Sequence, residues 1–317
     1  MILDDIKHEI EKAKNIVILT HENPDGDAIG SSLAMYQALK KFDKNADVII
    51  PEYSKTFSFL PYINVLKGES NVEKYDLAIV LDCGDISRLN GFSKYYENAK
   101  KTIQIDHHSI NNMFCQINYV DPVSPATAQI LIMLFDYLNI KITNDMAVCL
   151  MTGIITDTGG FKYANTNTDT FEYAARFLAQ GINISKIYES VMDAVTISKF
   201  ELSKRAMSRL ELIENGRIAY TYITKKDIIQ TRAQMGDYEG IVEQARSIEG
   251  VEVAVFIKEI DKGCKVSLRV SNSSKINVAD ICMVFGGGGH IKAAGCTMLA
   301  PIEATKEKVI KEIVRSM

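Results

Sequence analysis

Three short apolar runs in the first third of the chain, NIVILT (15–20), DLAIVLD (76–82) and TIQID (102–106), each end on or just before charged residues. The first two are aliphatic and β-branched without polar alternation, the mark of strands buried on both faces, which points to a parallel sheet. ADVII (46–50) reads the same way. Stretches with helical spacing separate or follow these runs: AIGSSLAMYQALKKF (28–42), TAQILIMLFDYLNI (127–140) and NDMAVCLMTGIITDT (144–158). Strands alternating with helices predict an α/β unit, a parallel sheet with helices on both faces. Ligands then collect at the carboxyl ends of its strands.

The second half is patterned differently. Helical stretches from about 168 to 210 carry the chain across, with SKFELSKRAMSRLEL as the connector. Beyond it RIAYTYIT (217–224), VEVAVFIKEI (251–260), KVSLRVS (265–271) and CTML (296–299) are strand-like. YEGIVEQARSI, INVADICMVF and IEATKEKVIKEIVRSM are helix-like. This half is expected to form a smaller α/β domain with a mixed sheet. The expected boundaries are 1–187 for the first domain, 188–211 for a helical connector and 212–317 for the second domain, with the active site in the cleft between them.

At 317 residues the chain can bury two full cores. A formal charge of −4 excludes the strongly basic surface of a long-duplex binder, yet leaves room for a small anionic substrate in a local pocket. The six cysteines are scattered without a C-x-x-C pair and read as reduced core or pocket thiols of a cytosolic protein. MILDDIKHEIEKAK reads as a charged helix and not a signal peptide, and no apolar run nears the ~18 residues needed to cross a bilayer. The expected location is cytoplasmic, with no membrane partner.

The charged residues that end the apolar runs carry the chemistry. His21, Asp25 and Asp27 follow the first run, Asp82 ends the second, and Asp106, His107 and His108 end the third. Asp157 ends the helical run AVCLMTGIIT, before the loop TGGF. In a parallel sheet the first three clusters fall on one edge. Carboxylates so crowded repel one another, and a dication is the usual counter-charge. Four of the five histidines lie in polar loops of this kind, and only His8 sits on an ordinary amphipathic helix.

HENPDGDAIGSSLA, LDCGD, IDHH and TGIITDTGGF occur in this order, and FGGGGHIKAAGC follows at 285–296. The first four resemble the motifs of the DHH phosphoesterase family. The last resembles the signature of the first type of DHH-associated C-terminal domain. Within that family the chain is most similar to the stand-alone NanoRNase and pAp phosphatase type. RecJ-type exonucleases carry an added nucleic-acid-binding domain, the cyclic-dinucleotide phosphodiesterases carry membrane segments, and family II pyrophosphatases lack the GGGGH loop.

The resemblance implies two Mn²⁺ ions: His21 and Asp25 on one, Asp27, His107 and Asp157 on the other, and Asp82 bridging both. Mixed oxygen and imidazole ligands suit Mn²⁺ better than Mg²⁺. Two such ions activate a hydroxide and stabilise the leaving oxygen of a phosphate ester. Asp106 is expected to orient a neighbouring histidine, with a simple turn cap as the competing reading. His108 is expected to donate to the phosphoryl oxygen as charge builds. Arg88 is a phosphate contact or a solvated loop arginine. Gly286, Gly287, Gly288 and Gly289 are expected to turn their amides towards an anion as a nest, against the alternative of a flexible linker. Arg269 and His290 would complete that pocket, as equivalent residues do in the family.

Two departures stand out. Lys162 follows GGF where relatives commonly have arginine, which keeps the charge but loses the bidentate fork. SPATAQ places Ala126 and Gln129 where relatives often have polar and acidic residues. None of the six implied ligands is missing. The resemblance therefore implies a Mn²⁺-dependent phosphoesterase acting on very short single-stranded oligonucleotides and on 3′-phosphoadenosine 5′-phosphate (pAp). Hydrolysis of linear dinucleotides such as pApA is the alternative for the same site. A catalytically dead nucleotide sensor would require a broken ligand. Long duplex DNA is not an expected partner, and a homodimer is compatible with the sequence.

Overall fold

The computed structural model describes residues 2–193, 195–234, 236–271 and 273–317. It divides into two compact units, which part between residues 194 and 195. In the first unit the helices are α1 (Ile2–Lys12), α2 (Gly26–Lys40), α3 (Ser93–Glu97), α4 (Thr127–Tyr137), α5 (Asn144–Asp157), α6 (Thr168–Ala179) and α7 (Ile184–Tyr188). Its strands are β1 (Asn15–Leu19), β2 (Asn45–Ile49), β3 (Leu66–Lys67), β4 (Leu77–Leu81), β5 (Lys101–Asp106) and β6 (Ile117–Val120). They form one sheet in the order β3-β2-β1-β4-β5-β6, with every pairing parallel.

Both faces of this sheet are buried, as the unbroken apolar runs require. Ile16 and Ile18 of β1, with Leu77, Ile79 and Leu81 of β4, pack into a core shared with α2, α4 and α5. The alternate residues Val17, Leu19, Ala78 and Val80 pack on the opposite face against Leu89 and Tyr95. The second cover is thus short helical turns over residues 86–97 where full helices were expected. α2 is buried almost all round, because α4 and α5 enclose the side turned away from the sheet.

The second unit contains α8 (Ile197–Ser208), α9 (Lys225–Thr231), α10 (Ile241–Arg246), α11 (Val278–Val284) and α12 (Ile302–Ser316). Its strands are β7 (Glu211–Ile213), β8 (Ile218–Ile223), β9 (Val253–Ile260), β10 (Gly263–Val270), β11 (Gly288–His290) and β12 (Ala293–Met298), in the order β11-β12-β10-β9-β8-β7. β8 and β9 pair in parallel and the other neighbours antiparallel, so the sheet is mixed. α11 and α12 cover one face, and α8 and α10 the other. The segment 188–211, expected as a connector, is divided. Glu189–Asp193 continue the helical end of the first unit, whereas Leu202 and Ala206 of α8 are buried in the core of the second.

All six cysteines are buried and free of disulfides. Among the described residues, no helix is long and apolar enough to cross a membrane.

One ion cluster ties α8 and α9 to the second sheet. Asp227 accepts two bonds from the Arg209 fork, at 2.6 and 3.0 Å, and one from Arg205 at 3.3 Å, while capping α9 through Thr224. Burial alone would raise its pKa, but the Arg209 fork, the Thr224 bonds and Arg205 hold it well below the usual carboxylate range. A depressed acid stabilises the fold fully above its unfolded value near 3.8, and that contribution fades as pH falls towards the folded value. Asp227→Asn should lower stability at pH 7 by about 2–3 kcal/mol, the scale of charged hydrogen bonds. Thermal midpoints followed from pH 7 to 3 should also fall less steeply for the variant than for the natural chain. Parallel curves would remove Asp227 from the acid response.

Candidate active site

The strand order fixes where a site can form. The chain runs from β1 outwards to β2 and β3, then returns so that β4 pairs with the other side of β1. Connections leave β1 in opposite directions at this point, which opens a crevice at the carboxyl ends of β1 and β4. His21 follows β1, Asp82 follows β4, and Asp106, His107 and His108 end or follow the adjacent β5. Asp25 caps α2 by accepting from the amides of Asp27 and Ala28 at 3.0 and 3.1 Å. Asp157 is the last residue of α5, the helix packed on α2. The four clusters read from the sequence therefore meet.

Asp82 lies at their centre. Its Oδ2 faces His21 Nε2 at 3.6 Å, and its Oδ1 faces His107 Nε2 at 3.4 Å and His108 Nδ1 at 3.7 Å. His107 Nε2 also approaches Asp157 at 3.1 Å and Asp27 at 4.0 Å. Two groups have ligand atoms all within 4.8 Å of one another and fit a metal ion: His21, Asp25 and Asp82, and Asp27, His107 and Asp157. Asp82, His107 and His108 form a third, overlapping set. Asp106 is buried and holds His108 Nδ1 at 2.7 Å through Oδ1.

The electrostatics of this donor set favour a cation. Burial raises the Asp27 pKa well above the usual carboxylate range, and the charges on Asp82 and Asp157 push the same way. Asp157 is pushed up to about 6, by burial first and by Asp25 and Asp82, against a bond from His107. Burial would also raise Asp82, but His107 and His21 hold it low. Burial would lower His107, yet Asp157 and Asp82 push it up to about 11. The carboxylates thus gather whatever positive charge is at hand, and the buried His21 Nδ1 has no hydrogen-bond partner among the described residues. Oxygen and imidazole donors so arranged fit divalent metal ions.

Several contributors escaped the sequence reading. Thr127 donates its hydroxyl to Asp82 Oδ1 at 3.3 Å. Asp27 accepts from Ser31 Oγ at 3.1 Å and from the amides of Thr127 and Ala128 at 2.6 and 2.9 Å. Ala126, one of the departures from the family pattern, stands at the start of α4 without a capping side chain, and Asp27 supplies the cap instead. Gln129 bonds Asn167 and Thr170, away from the cluster. Gly153 of α5 gives Asp27 its space, since a Cβ there would lie 2.5 Å from Asp27 Oδ1. Its signal was the glycine inside TGIITDTGG.

The expected substrate contacts are spread over both units. Arg88 is partly exposed beside this crevice, where its carbonyl accepts from the Glu22 amide at 2.8 Å. Lys162 is exposed in the turn after α5. In the second unit Arg269 donates through Nε to Glu243 at 2.9 Å and through Nη1 to the Leu268 carbonyl at 3.0 Å. His290 is exposed on edge strand β11. His290, Ala293 and Arg269 pair directly across β11, β12 and β10. The glycine run does not form a four-amide nest here. Gly286 and Gly287 donate to the carbonyls of Met283 and Cys282, ending α11, and Gly288 and Gly289 pair with β12. Helix capping and strand pairing thus claim the backbone that the nest would have used.

The close approach of α2 and α5 underlies the cluster, because these helices carry Asp27 and Asp157. A Cβ on Gly30 would lie 2.3 Å from the Cys149 carbonyl oxygen. Gly30→Ala should force the helices apart, with an overpacking loss of about 1–3 kcal/mol. The expected outcome is a lower thermal midpoint together with weaker metal binding by titration calorimetry. A variant with unchanged metal affinity would uncouple helix spacing from the site.

Comparisons with known proteins agree with this architecture. The DHH family N-terminal domain matches residues 15–154, and the DHHA1 domain matches residues 215–316. The chain is 32% identical over 302 residues to the bifunctional oligoribonuclease and PAP phosphatase NrnA of Thermus thermophilus, covering 94% of this chain and 89% of that protein. It is 24% identical to the cyclic-di-AMP phosphodiesterase PdeA of Listeria monocytogenes, with 94% of this chain matching 47% of that protein. The crystal structure of an exopolyphosphatase-related protein from Bacteroides fragilis superposes with a TM-score of 0.90 at 27% identity, covering 99% of this chain and 96% of the other. The chain belongs to the DHH family of phosphoesterases, with a DHHA1 domain as its second unit.

Proposed function

We propose that this chain is a Mn²⁺-dependent phosphoesterase that hydrolyses very short oligonucleotides to mononucleotides and pAp to AMP, with two cations held by His21, Asp25, Asp27, Asp82, His107 and Asp157. The observation that carries the reading is the placement of Asp82, whose two oxygens face different groups of ligands. A shared carboxylate is what a paired site needs. Divalent cations in such a site supply Lewis acidity towards phosphoryl oxygens and a more acidic attacking water.

The chain's own residues do the rest. Asp27, fixed by three hydrogen bonds, keeps its oxygens in place without rearrangement. His108, gripped at Nδ1 by Asp106, turns its remaining nitrogen to the phosphoryl oxygen as charge builds there. Arg88 and Lys162 assist at the phosphate. In the second unit, Arg269 and His290 take the nucleotide end, with Gly288 and Gly289 holding His290 on the edge strand through their pairing with β12. Gly286 and Gly287 contribute by shaping that turn. The substrate class is supported by the Thermus relative's name, and the likeness to a protein named for cyclic-di-AMP turnover keeps linear dinucleotides such as pApA as the alternative for the same site.

Chelation should abolish turnover, and Mn²⁺ should restore it better than Mg²⁺ at equal concentration. Asp82→Ala should lose at least ~10³ in kcat, since its loss disturbs both ligand groups. A variant retaining more than about a tenth of the natural activity is not missing a bridge.

Substrate length should separate recognition from chemistry. His290→Ala and Arg269→Ala should each lose roughly 10- to 150-fold in kcat/KM on pAp, the worth of one or two charge-assisted hydrogen bonds. Hydrolysis of bis-p-nitrophenyl phosphate should be nearly unchanged. Parallel assays with pApA and a ~5-nucleotide RNA rank the natural substrates. Equal losses on pAp and the minimal ester would assign both residues to folding.

A further inference from the structure

We propose that Asn111 is a positioning residue for the reaction, the outer member of an Asn111–Asp106–His108 chain that fixes the direction in which the His108 ring faces. The inference rests on the reading of His108 as the group that serves the phosphoryl oxygen. Asp106 is 0% exposed, and its two oxygens have separate partners. Oδ1 meets His108 Nδ1 at 2.7 Å, and Oδ2 accepts from Asn111 Nδ2 at 2.6 Å. The Asn111 amide can face only one way, because its Oδ1 accepts from the Met113 amide at 2.6 Å, leaving the NH₂ to Asp106.

The consequence is geometric. A carboxylate held at one oxygen swings about its last torsion, which is broad for aspartate. Held at both, it has a fixed plane, and the histidine bonded to it has a fixed ring. Without Asn111, Asp106 Oδ2 would be a buried acceptor without this donor, and the carboxylate would turn to find another. The turn that carries Asn111 is itself anchored: the Asn112 amide donates to the Gly84 carbonyl at 2.9 Å, and its side chain bonds Asp85. Asn111 bonds Asp106 and Met113 and none of the six residues assigned to metal. Its influence on rate is therefore separable from metal binding.

The test uses the Mn²⁺-loaded full chain with pAp and with bis-p-nitrophenyl phosphate. Asn111→Ala should lower kcat about 10- to 100-fold, the usual effect of removing a partner that orients a functional group. KM and bound Mn²⁺ should stay close to natural values. Asn111→Leu keeps the volume, so it should lose as much if the hydrogen bond matters, and it provides a second variant should the alanine form fold poorly. The decisive arm is the cycle with His108→Ala, whose own loss should be larger. In that background Asn111→Ala should change nothing further, because a residue that acts through His108 has nothing left to act on. Multiplied losses, natural kcat in both Asn111 variants, full activity in Asn111→Leu, or loss of Mn²⁺ would each overturn the proposal. Natural kcat in His108→Ala would overturn the role given to His108 itself, a failure distinct from that of Asn111.

Discussion

The buried carboxylate of Asp27 is the constraint around which the first unit is arranged. It is 0% exposed, and a carboxylate there needs compensation from every direction. Two amides of the first turn of α4 point at it, where the partial positive charge of a helix start is greatest. Ser31 supplies a third donor from within α2. One side chain thus joins the beginnings of two helices, and α5 can close over it only because Gly153 has no Cβ. The helices that bury Asp27 are the same ones that bring Asp25 and Asp157 to the crevice. Stability and ligand geometry share one set of contacts.

The sheet contributes the remaining residues of the cluster directly from its strand ends. β1, β4 and β5 are neighbours and parallel, so the residues after each strand land on one edge. Asp82 adopts a left-handed backbone conformation with φ of 53°. Its amide donates to the Ile105 carbonyl at 3.1 Å, so neighbouring β5 holds the strained position. Such strain, of the order of 1–3 kcal/mol for a non-glycine residue, persists where the surroundings over-determine it. Aspartate tolerates this region better than most residues, which suits it to a sharp exit from a buried strand.

What could be read from the sequence followed from burial and from charge at element ends. β1 and β4 announce themselves as unbroken apolar runs and β5 as a strand-like run interrupted by Gln104, and the charges that stop them mark the edge where they meet. β6 and β11 gave no such signal. INYV is half-buried at the sheet edge, and GGH has no strand propensity of its own, so only pairing with β12 makes it a strand. The cap that Asp27 provides to α4 was equally hidden, because its partners lie 100 residues away and Ala126 offers no side-chain cue. Asn111 sits among ordinary loop residues in SINNMF, and its amide reads as turn chemistry until Asp106 is seen beside it. The division of 188–211 depended on which core Leu202 and Ala206 would join, and a shared helical pattern does not encode that.

In the proposed function, the glycine run decides how the second unit would meet an anion. With Gly286 and Gly287 committed to the end of α11, recognition shifts from a backbone nest to side chains. The register provides them in a row. Directly paired antiparallel residues project to the same face, so His290 and Arg269 stand on one face with the small Ala293 between them. Two strand spacings separate them, roughly 9–10 Å, enough for a phosphate or a base edge to sit over the alanine. Glu243 holds Arg269 through Nε and the Leu268 carbonyl holds Nη1, so the guanidinium is oriented before any ligand arrives. That preorganisation has an electrostatic side effect. The Glu243 carboxylate lies beside the same guanidinium and lessens its attraction for a free anion, so binding there favours ligands that also reach His290. In the proposed function the pair would select for a substrate with extent, where an isolated arginine would take any phosphate.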